Sequence, residues 1–508
     1  MGLWNLNNFP LEPTRLASQL KSESLFSFLN SNFVRNKVRD YLKKESNGKT
    51  VLGNLVEKYA IDNRPLLERI FKAPNTIIPY AVFDYLRKLF GLKKENLSVA
   101  IENPKIKRAL LNVIETIEKY GVSMPLVFSQ PLMLVWNVTA RCNLRCKHCY
   151  EDAGTLSKGL PKDLTKEEKI RVMEEVCKLN IPTFAFAGGE PLIDPVFWKL
   201  AKIGKERGLY MSINTNGTLI TEEVAERLKE MEFAYYGVSL DGASAQVHDS
   251  FRGVKGAFER ALKGIKNLVN VGEGDKTCIS FTVARENSIV RNEIPKMLEL
   301  RDKLGIRKVV LYNYIPCGRG GRENDLTCEE REKLFEFFYK DLQRKEALLS
   351  TAPQFGRFCR QMYEEGRGEY TVLGHFSSGS AKELSSLVEL IGGCGAGRAY
   401  ISLQPDGSIT PCVFMPNLII GNIKKNGEIR GENLIEVWDN SPVMEKIRRR
   451  RNHPERYGCG GKYFNVCGGC VARAYGYFGD LEAPDPGCIY NKQYYPDAHR
   501  CCSLIRDT

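Results

Sequence analysis

The 508-residue chain is expected to fold as an α/β protein, with a helical region before a β/α core and a cysteine-rich region after it. Three observations predict this. Short apolar runs alternate with polar, helix-length segments between about 131 and 325. Apolar residues recur at helical spacing through the first 125 residues. All 16 cysteines fall between Cys142 and Cys502.

Residues 1–125 read as a helical, basic N-terminal domain. Val34, Val38, Tyr41 and Leu42 repeat at helical spacing, as do Val82, Leu86, Leu89 and Phe90, and Ile106, Leu110, Val113 and Ile117. Residues 1–130 hold 20 Lys and Arg against 12 Asp and Glu, so +8 of the net +13 lies in the first quarter. Helix-on-helix packing accounts for these stripes. A basic amphipathic surface also fits peripheral contact with anionic membrane lipid. No run approaches the roughly 18–20 apolar residues of a membrane span, and the opening residues lack the pattern of a signal peptide. Cysteines clustered in one part of a long chain fit iron–sulfur ligation in a reducing compartment better than disulfides. A cytoplasmic protein, at most peripheral to the membrane, is therefore expected, and no nucleic-acid partner.

In the core, 126–325, the strand candidates are 132–138, 184–187, 211–213, 235–240, 279–283 and 309–314. Each gap leaves room for a helix, as a parallel sheet or barrel requires. Such folds place their chemistry on the loops after the strand C-termini. Two motifs fall there. The first is Cys142, Cys146 and Cys149, a C-x3-C-x2-C triplet after the first strand. Three thiolates on a four-iron cube leave one iron open to a small molecule, whereas zinc sites normally close all four positions. The second is Gly188-Gly189-Glu190-Pro191, after the next strand. Its glycines let backbone approach a ligand, and its carboxylate suits an ammonium group.

Together these residues resemble the radical SAM superfamily. The resemblance implies a partial (β/α)6 TIM-like barrel. It also implies a [4Fe-4S] cluster whose open iron holds S-adenosylmethionine, and an electron donor such as ferredoxin or flavodoxin. Reductive cleavage would yield a 5′-deoxyadenosyl radical that takes hydrogen from an unactivated C–H bond. By the same resemblance Glu190, with Gly188 and Gly189, meets the methionine amine, and Tyr150 lies near the adenine. Ser239 and Arg252 contact the ribose and carboxylate. The runs Thr215-Asn216-Gly217, Val238-Ser239-Leu240-Asp241-Gly242 and His248-Asp249-Ser250-Phe251-Arg252-Gly253 belong to the same likeness. His148 reads as a neighbour of the cluster rather than a ligand.

After a helical linker, 326–390, residues 391–508 resemble the SPASM extension, which holds one or two auxiliary iron–sulfur clusters. The residues that carry this are Cys394, Cys412 after Gly407, Cys459, Cys467, Cys470 and Cys488. Lys462 stands where the family usually has a cysteine, so Cys501, Cys502 or an oxygen ligand is needed if that set is complete. Cys359 is the candidate fourth ligand of the first auxiliary set. Cys177, Cys278, Cys317 and Cys328 belong to no motif and read as packed thiols. The run at 448–451 reads as a surface helix, with an anion site as the alternative.

For the substrate, the basic helical N-terminal region favours chains of membrane isoprenoid lipid joined by carbon–carbon bonds, as in some archaeal radical SAM enzymes. The alternatives are a maturase of ribosomal peptides or of a haem precursor, and a non-catalytic iron–sulfur electron-transfer protein.

Overall fold

The computed structural model describes residues 103–495, except 124, 154–162, 307, 345–347, 351, 368–370, 375–376 and 381–391, together with scattered positions between 30 and 50. Six strands pair in parallel and in chain order: β1 (Met133–Asn137), β2 (Thr183–Ala187), β3 (Tyr210–Thr215), β4 (Tyr235–Ser239), β5 (Thr277–Val283) and β6 (Lys308–Asn313). They coincide with the six predicted strands and form the partial barrel. Helices between them cover the outer face, among them α2 (Lys166–Lys178), α3 (Phe197–Glu206), α4 (Glu222–Glu230), α5 (Ala245–Arg252), α6 (Ala257–Asn270) and α7 (Glu293–Lys303). Local sequence sets their ends. Thr165 and Glu168 form a reciprocal capping box at the start of α2. Val172, Met173 and Val176 then face the sheet at helical spacing.

The main core is one contiguous cluster, with smaller ones beside it. Phe184, Phe186, Phe197 and Phe233 are fully buried, with edge-on rings at 4.8 Å (Phe184 to Phe186) and 5.3 Å (Phe186 to Phe197). Each such side chain contributes about 1.5–3 kcal/mol relative to exposure. The same cluster continues into Ile401, Leu403, Leu434 and Trp438, so the cysteine-rich region shares the barrel's core.

Sheet topology gives the same result. After α8 (Cys328–Arg344), strand β7 (Leu348–Ser350) pairs in parallel with β6. Helix α9 (Pro353–Glu364) and a hairpin, Thr371–Gly374 with Ser377–Ser380, follow. The expected helical linker therefore contains strands, one of them in the main sheet. A three-residue strand is too short to register as a sequence period. At the opposite edge β8 (Tyr400–Leu403) pairs in parallel with β1, placing Tyr400 opposite Met133 and Leu403 opposite Trp136. Strands β9 (Ser408–Thr410) and β10 (Gly421–Asn422) extend that edge. The ten-stranded sheet runs β10-β9-β8-β1-β2-β3-β4-β5-β6-β7.

In the N-terminal region, helix α1 (Pro104–Tyr120) forms as the Val113 and Ile117 spacing predicts. Asn103 caps it, Pro104 opens it and Gly121 ends it at φ 72°. Its buried Asn112 donates to the carbonyls of Gln130 and Asn180 at 3.0 Å, fixing the helix beneath the starts of β1 and β2. The stripes at Val34 and Val82 lie outside the described residues. Glu45–Ser46 pairs with Lys49–Thr50 as a short hairpin, so the region is not helical throughout. Among the described residues no helix is long and apolar enough to cross a membrane.

The last helices, α10 (Gly431–Asn440), α11 (Pro442–Arg449) and α12 (Val471–Phe478), close the C-terminal region over the barrel. A buried charge network fixes α12. Arg473 meets Asp325 Oδ2 at 3.1 Å and Asp485 Oδ1 at 3.6 Å, and donates to the Tyr314 carbonyl at 2.7 Å. Arg331 meets the other Asp325 oxygen at 2.6 Å. All four side chains are at most 1% exposed. Removing one partner from such a network leaves a buried charge uncompensated. Arg473→Met should therefore cost about 3–5 kcal/mol and lower the thermal midpoint of the iron-loaded protein. An unchanged midpoint would show that the network does not fix the two regions together.

Candidate active site

The cysteine loop leaves the C-terminal end of β1 and is tied down on two sides. The Arg145 and Lys147 amides donate to the carbonyls of Arg252 (3.1 Å) and Phe251 (3.0 Å) at the end of α5. From the loop after β6, Arg319 donates through Nη1 to the Cys146 carbonyl (2.8 Å) and through Nη2 to the Ala153 carbonyl (2.5 Å). The Arg319 amide donates to the Cys149 carbonyl at 2.9 Å. A Cβ on Gly318 would sit 2.4 Å from the carbonyl oxygens of Cys149 and Tyr150, so this close approach needs glycine.

All three sulfurs accept hydrogen bonds. Leu144 N reaches Cys142 at 3.4 Å, Ala153 N reaches Cys149 at 3.3 Å, and Arg252 Nη1 reaches Cys146 at 3.6 Å. Burial pushes the Cys142 thiol up to about 12 and the Cys149 thiol up to about 11. Thiolates here therefore need a metal's positive charge. Among the described residues no three His, Cys, Asp or Glu side chains close on a single ion. A cube ligated at three different irons needs its thiolates apart, each with N–H donors nearby. The donor set fits such a cluster.

Above the loop lies a cavity of about 230 Å³. The three cysteines, Tyr150, Gly188, Gly189, Ser239 and Arg252 line it, with Tyr400, Cys412 and Phe414 from the C-terminal region. Gly188 adopts φ 124°, and a Cβ on Gly189 would lie 2.1 Å from the Arg141 carbonyl oxygen, so backbone alone forms that wall. Glu190 stands behind the wall. Its carboxylate is fully buried and accepts from Thr215 Oγ1 (2.8 Å), Asn216 N (2.7 Å) and Leu192 N (3.2 Å). The structure thus gives Glu190 the task of joining the second and third strand loops.

Arg252 lines the cavity but is ion-paired with buried Asp241 at 2.6 Å. His148 stacks on Phe251 with centroids at 4.2 Å and sits 3.4 Å from Asp241. Burial holds its imidazole well below the usual range, hence neutral. Tyr150 donates to Asn137 Oδ1 at 3.0 Å and meets Phe414 edge-on at 5.5 Å. Several buried polar atoms in the cavity have no protein partner: both amide atoms of Asn313, Ser280 Oγ and Arg252 Nε. A polar ligand with donors and acceptors fits them.

The 14 described cysteines are all free thiols. In the C-terminal region they form two sets. Cys317, Cys394 and Cys412 pack against the apolar cluster that contains Cys470, and like charge from the other three adds to the burial that raises Cys412 well above the usual range. Cys488, pushed up to about 11 chiefly by burial, has Cys459 nearby, and Cys467 has Cys488 nearby. Cys359 joins neither. It is buried on α9 within the main core. The geometry therefore replaces Cys359 with Cys317, which the sequence reads as a packed thiol. Lys462 pairs with Glu364 at 3.0 Å on the surface, and Cys501 and Cys502 lie outside the described residues. Sequence reasoning also missed Arg319 and Asp241. Asp241 was legible only as part of the Ser-Leu-Asp-Gly run, and Arg319 carried no signal beyond the glycines around it.

Comparison with known proteins agrees with this site. The family model described as Radical SAM superfamily matches residues 136–288, and that of an iron-sulfur cluster-binding domain, SPASM, matches 394–470. An AdoMet-dependent heme synthase of Methanosarcina barkeri is 33% identical over 364 residues, covering 71% of this chain and 97% of that protein. A mycofactocin maturase of Mycolicibacterium smegmatis is 28% identical, covering 71% and 83%. Among solved structures, Streptococcus suis SuiB bound to S-adenosylmethionine shares the fold at 17% identity, with a TM-score of 0.56 over 88% of this chain and 93% of that one.

Two outcomes separate the thiol sets. Cys146→Ala should abolish cleavage of S-adenosylmethionine while auxiliary iron stays bound, measured by 5′-deoxyadenosine release and iron content. Cys317→Ala should lose auxiliary iron, whereas Cys359→Ala should keep it all. The reverse pattern would restore Cys359 as the ligand.

Proposed function

The chain belongs to the radical SAM superfamily, as a SPASM-type member, and on that premise we propose that it acts as a maturase on a tetrapyrrole precursor of haem type. The observation that carries this is the 33% identity spanning 97% of a heme synthase. A second heme synthase, of Oleidesulfovibrio alaskensis, is 30% identical over 89% of its length. When bound, the cluster and S-adenosylmethionine supply reductive cleavage and hydrogen abstraction from an unactivated C–H bond. A reductant such as ferredoxin or flavodoxin delivers the electron.

The protein's own part is to hold and to exclude. Cys142, Cys146 and Cys149 would ligate three irons, and the bare backbone at Gly188 and Gly189 admits the cofactor. Tyr150, Ser239 and Arg252 flank it. The cavity's cationic groups among the described residues are muted: Arg252 is committed to Asp241, and His148 is neutral. A carboxylated substrate would thus present a neutral carbon to the cavity and keep its carboxylates outside. The roof of Tyr400 and Phe414 limits water and stray hydrogen donors. The isoprenoid-lipid substrate, and with it an archaeal lipid pathway, gains no support from the relatives named above.

Anaerobic incubation of the reconstituted protein with dithionite and S-adenosylmethionine tests the proposal. Release of 5′-deoxyadenosine should rise at least about tenfold when a carboxylated iron-porphyrin precursor is added, with a matching mass change in the tetrapyrrole. Equal stimulation by isoprenoid lipid, or none by any tetrapyrrole, would sink it.

A further inference from the structure

We infer that Arg398, Arg448 and Arg450 are the built-in counter-charge of the two auxiliary clusters and set how readily those clusters accept an electron. This rests on the reading that the two thiol sets hold iron. A second cavity, of about 30 Å³, is lined by Cys394 of the first set, Cys467 of the second, and Arg398, Arg448, Arg450 and Arg451. The two loops touch there, since the Cys394 amide donates to the Cys467 carbonyl at 3.2 Å.

The run at 448–451 is a surface helix only in part, since Arg449 is exposed on α11 whereas Arg448 and Arg450 are buried. Arg398, Arg448 and Arg450 are each at most 6% exposed. Arg398 donates to the carbonyls of Leu126 and Cys394, both at 2.7 Å. Arg448 donates to those of Gly397 (2.7 Å) and Trp438 (2.6 Å). Arg450 donates to Leu481 (2.6 Å), Ala483 (3.0 Å) and Gly468 (3.2 Å), the last being next to Cys467. Carbonyls satisfy the N–H groups but leave the charge uncancelled.

Carboxylates near these arginines are engaged elsewhere. Asp439 pairs with Lys119 and accepts from Tyr120 at 2.9 Å, and Glu445 pairs with Arg449 at 3.0 Å. A buried cation is strongly unfavourable unless an anion shares its low-dielectric volume. Thiolate-ligated clusters held by the sets to which Cys394 and Cys467 belong would provide that anion. Cluster potential depends on local charge and hydrogen bonding, and a fixed positive charge favours the reduced form.

The test is a redox titration of the auxiliary signals in the iron-loaded full-length protein, followed by electron paramagnetic resonance. Arg398→Gln should lower the one-electron reduction equilibrium of an auxiliary cluster about tenfold, which is about 59 mV. Arg398→Lys, which keeps the charge and loses the fork, should stay near wild type. Arg449→Gln removes the same charge from a side chain 64% exposed on α11, next to Arg448, and should change nothing. A wild-type potential in Arg398→Gln overturns the inference, and so does an equal fall in Arg398→Lys. If Arg398→Gln loses auxiliary iron while Arg398→Lys retains it, the counter-charge role is supported; loss in both overturns it. Wild-type protein that binds no iron beyond the first cluster would instead sink the reading of the thiol sets, a failure seen in the iron count alone.

Discussion

The rest of the structure depends on the parallel pairing of β8 with β1. The strand that carries the cysteine triplet at its end is held on one side by β2 and on the other by a strand 267 residues further along the chain. That pairing makes the cysteine-rich region an extension of the barrel sheet rather than an appended module. It carries Tyr400, Cys412 and Phe414 over the cavity, and it lets the apolar core run unbroken from Leu134 to Met444. Arg473, bridging Asp325 and Asp485, secures the same arrangement from the other side.

Burial then dictates the chemistry of the thiols. Burial disfavours the thiolate at Cys142, Cys412 and Cys467 as it does at the packed Cys278, so what separates the two kinds is company: only the former gather with other thiols. Hydrogen bonds onto sulfur from Leu144, Ala153 and Arg252 prepare the triplet for anionic charge before any iron arrives. Polarity in the cavity is arranged differently. Arg252 is paired with Asp241, and the unpartnered atoms include the Asn313 amide, Ser280 Oγ and Arg252 Nε.

The six barrel strands were legible because each is a short apolar run with room for a helix on either side. Strand β7 was not, since three residues carry no period. The spacing of the triplet and the Gly-Gly pair singled out loops that the fold brings to one cavity, whereas the bonds of Glu190 to Thr215, Asn216 and Leu192 carried no sequence signal. Cys359 is the instructive case. Phe355, Phe358, Cys359 and Met362 share the packed face of α9, a helical repeat that the reading of Cys359 as a ligand overlooked. Cys317 stands in a glycine-rich loop with no periodic context, and only the fold brings it to Cys394, Cys412 and Cys470.

That loop also couples the two halves of the protein. Cys317 faces the C-terminal thiols while Arg319, two residues on, grips the carbonyls of Cys146 and Ala153. A segment pinned at one position has little freedom left at its second neighbour, so the ordering entropy of the two sites is largely shared. Filling either site therefore prepares the other. The shared loop lowers the ordering cost of the second site without making the iron of either site depend on that of the other.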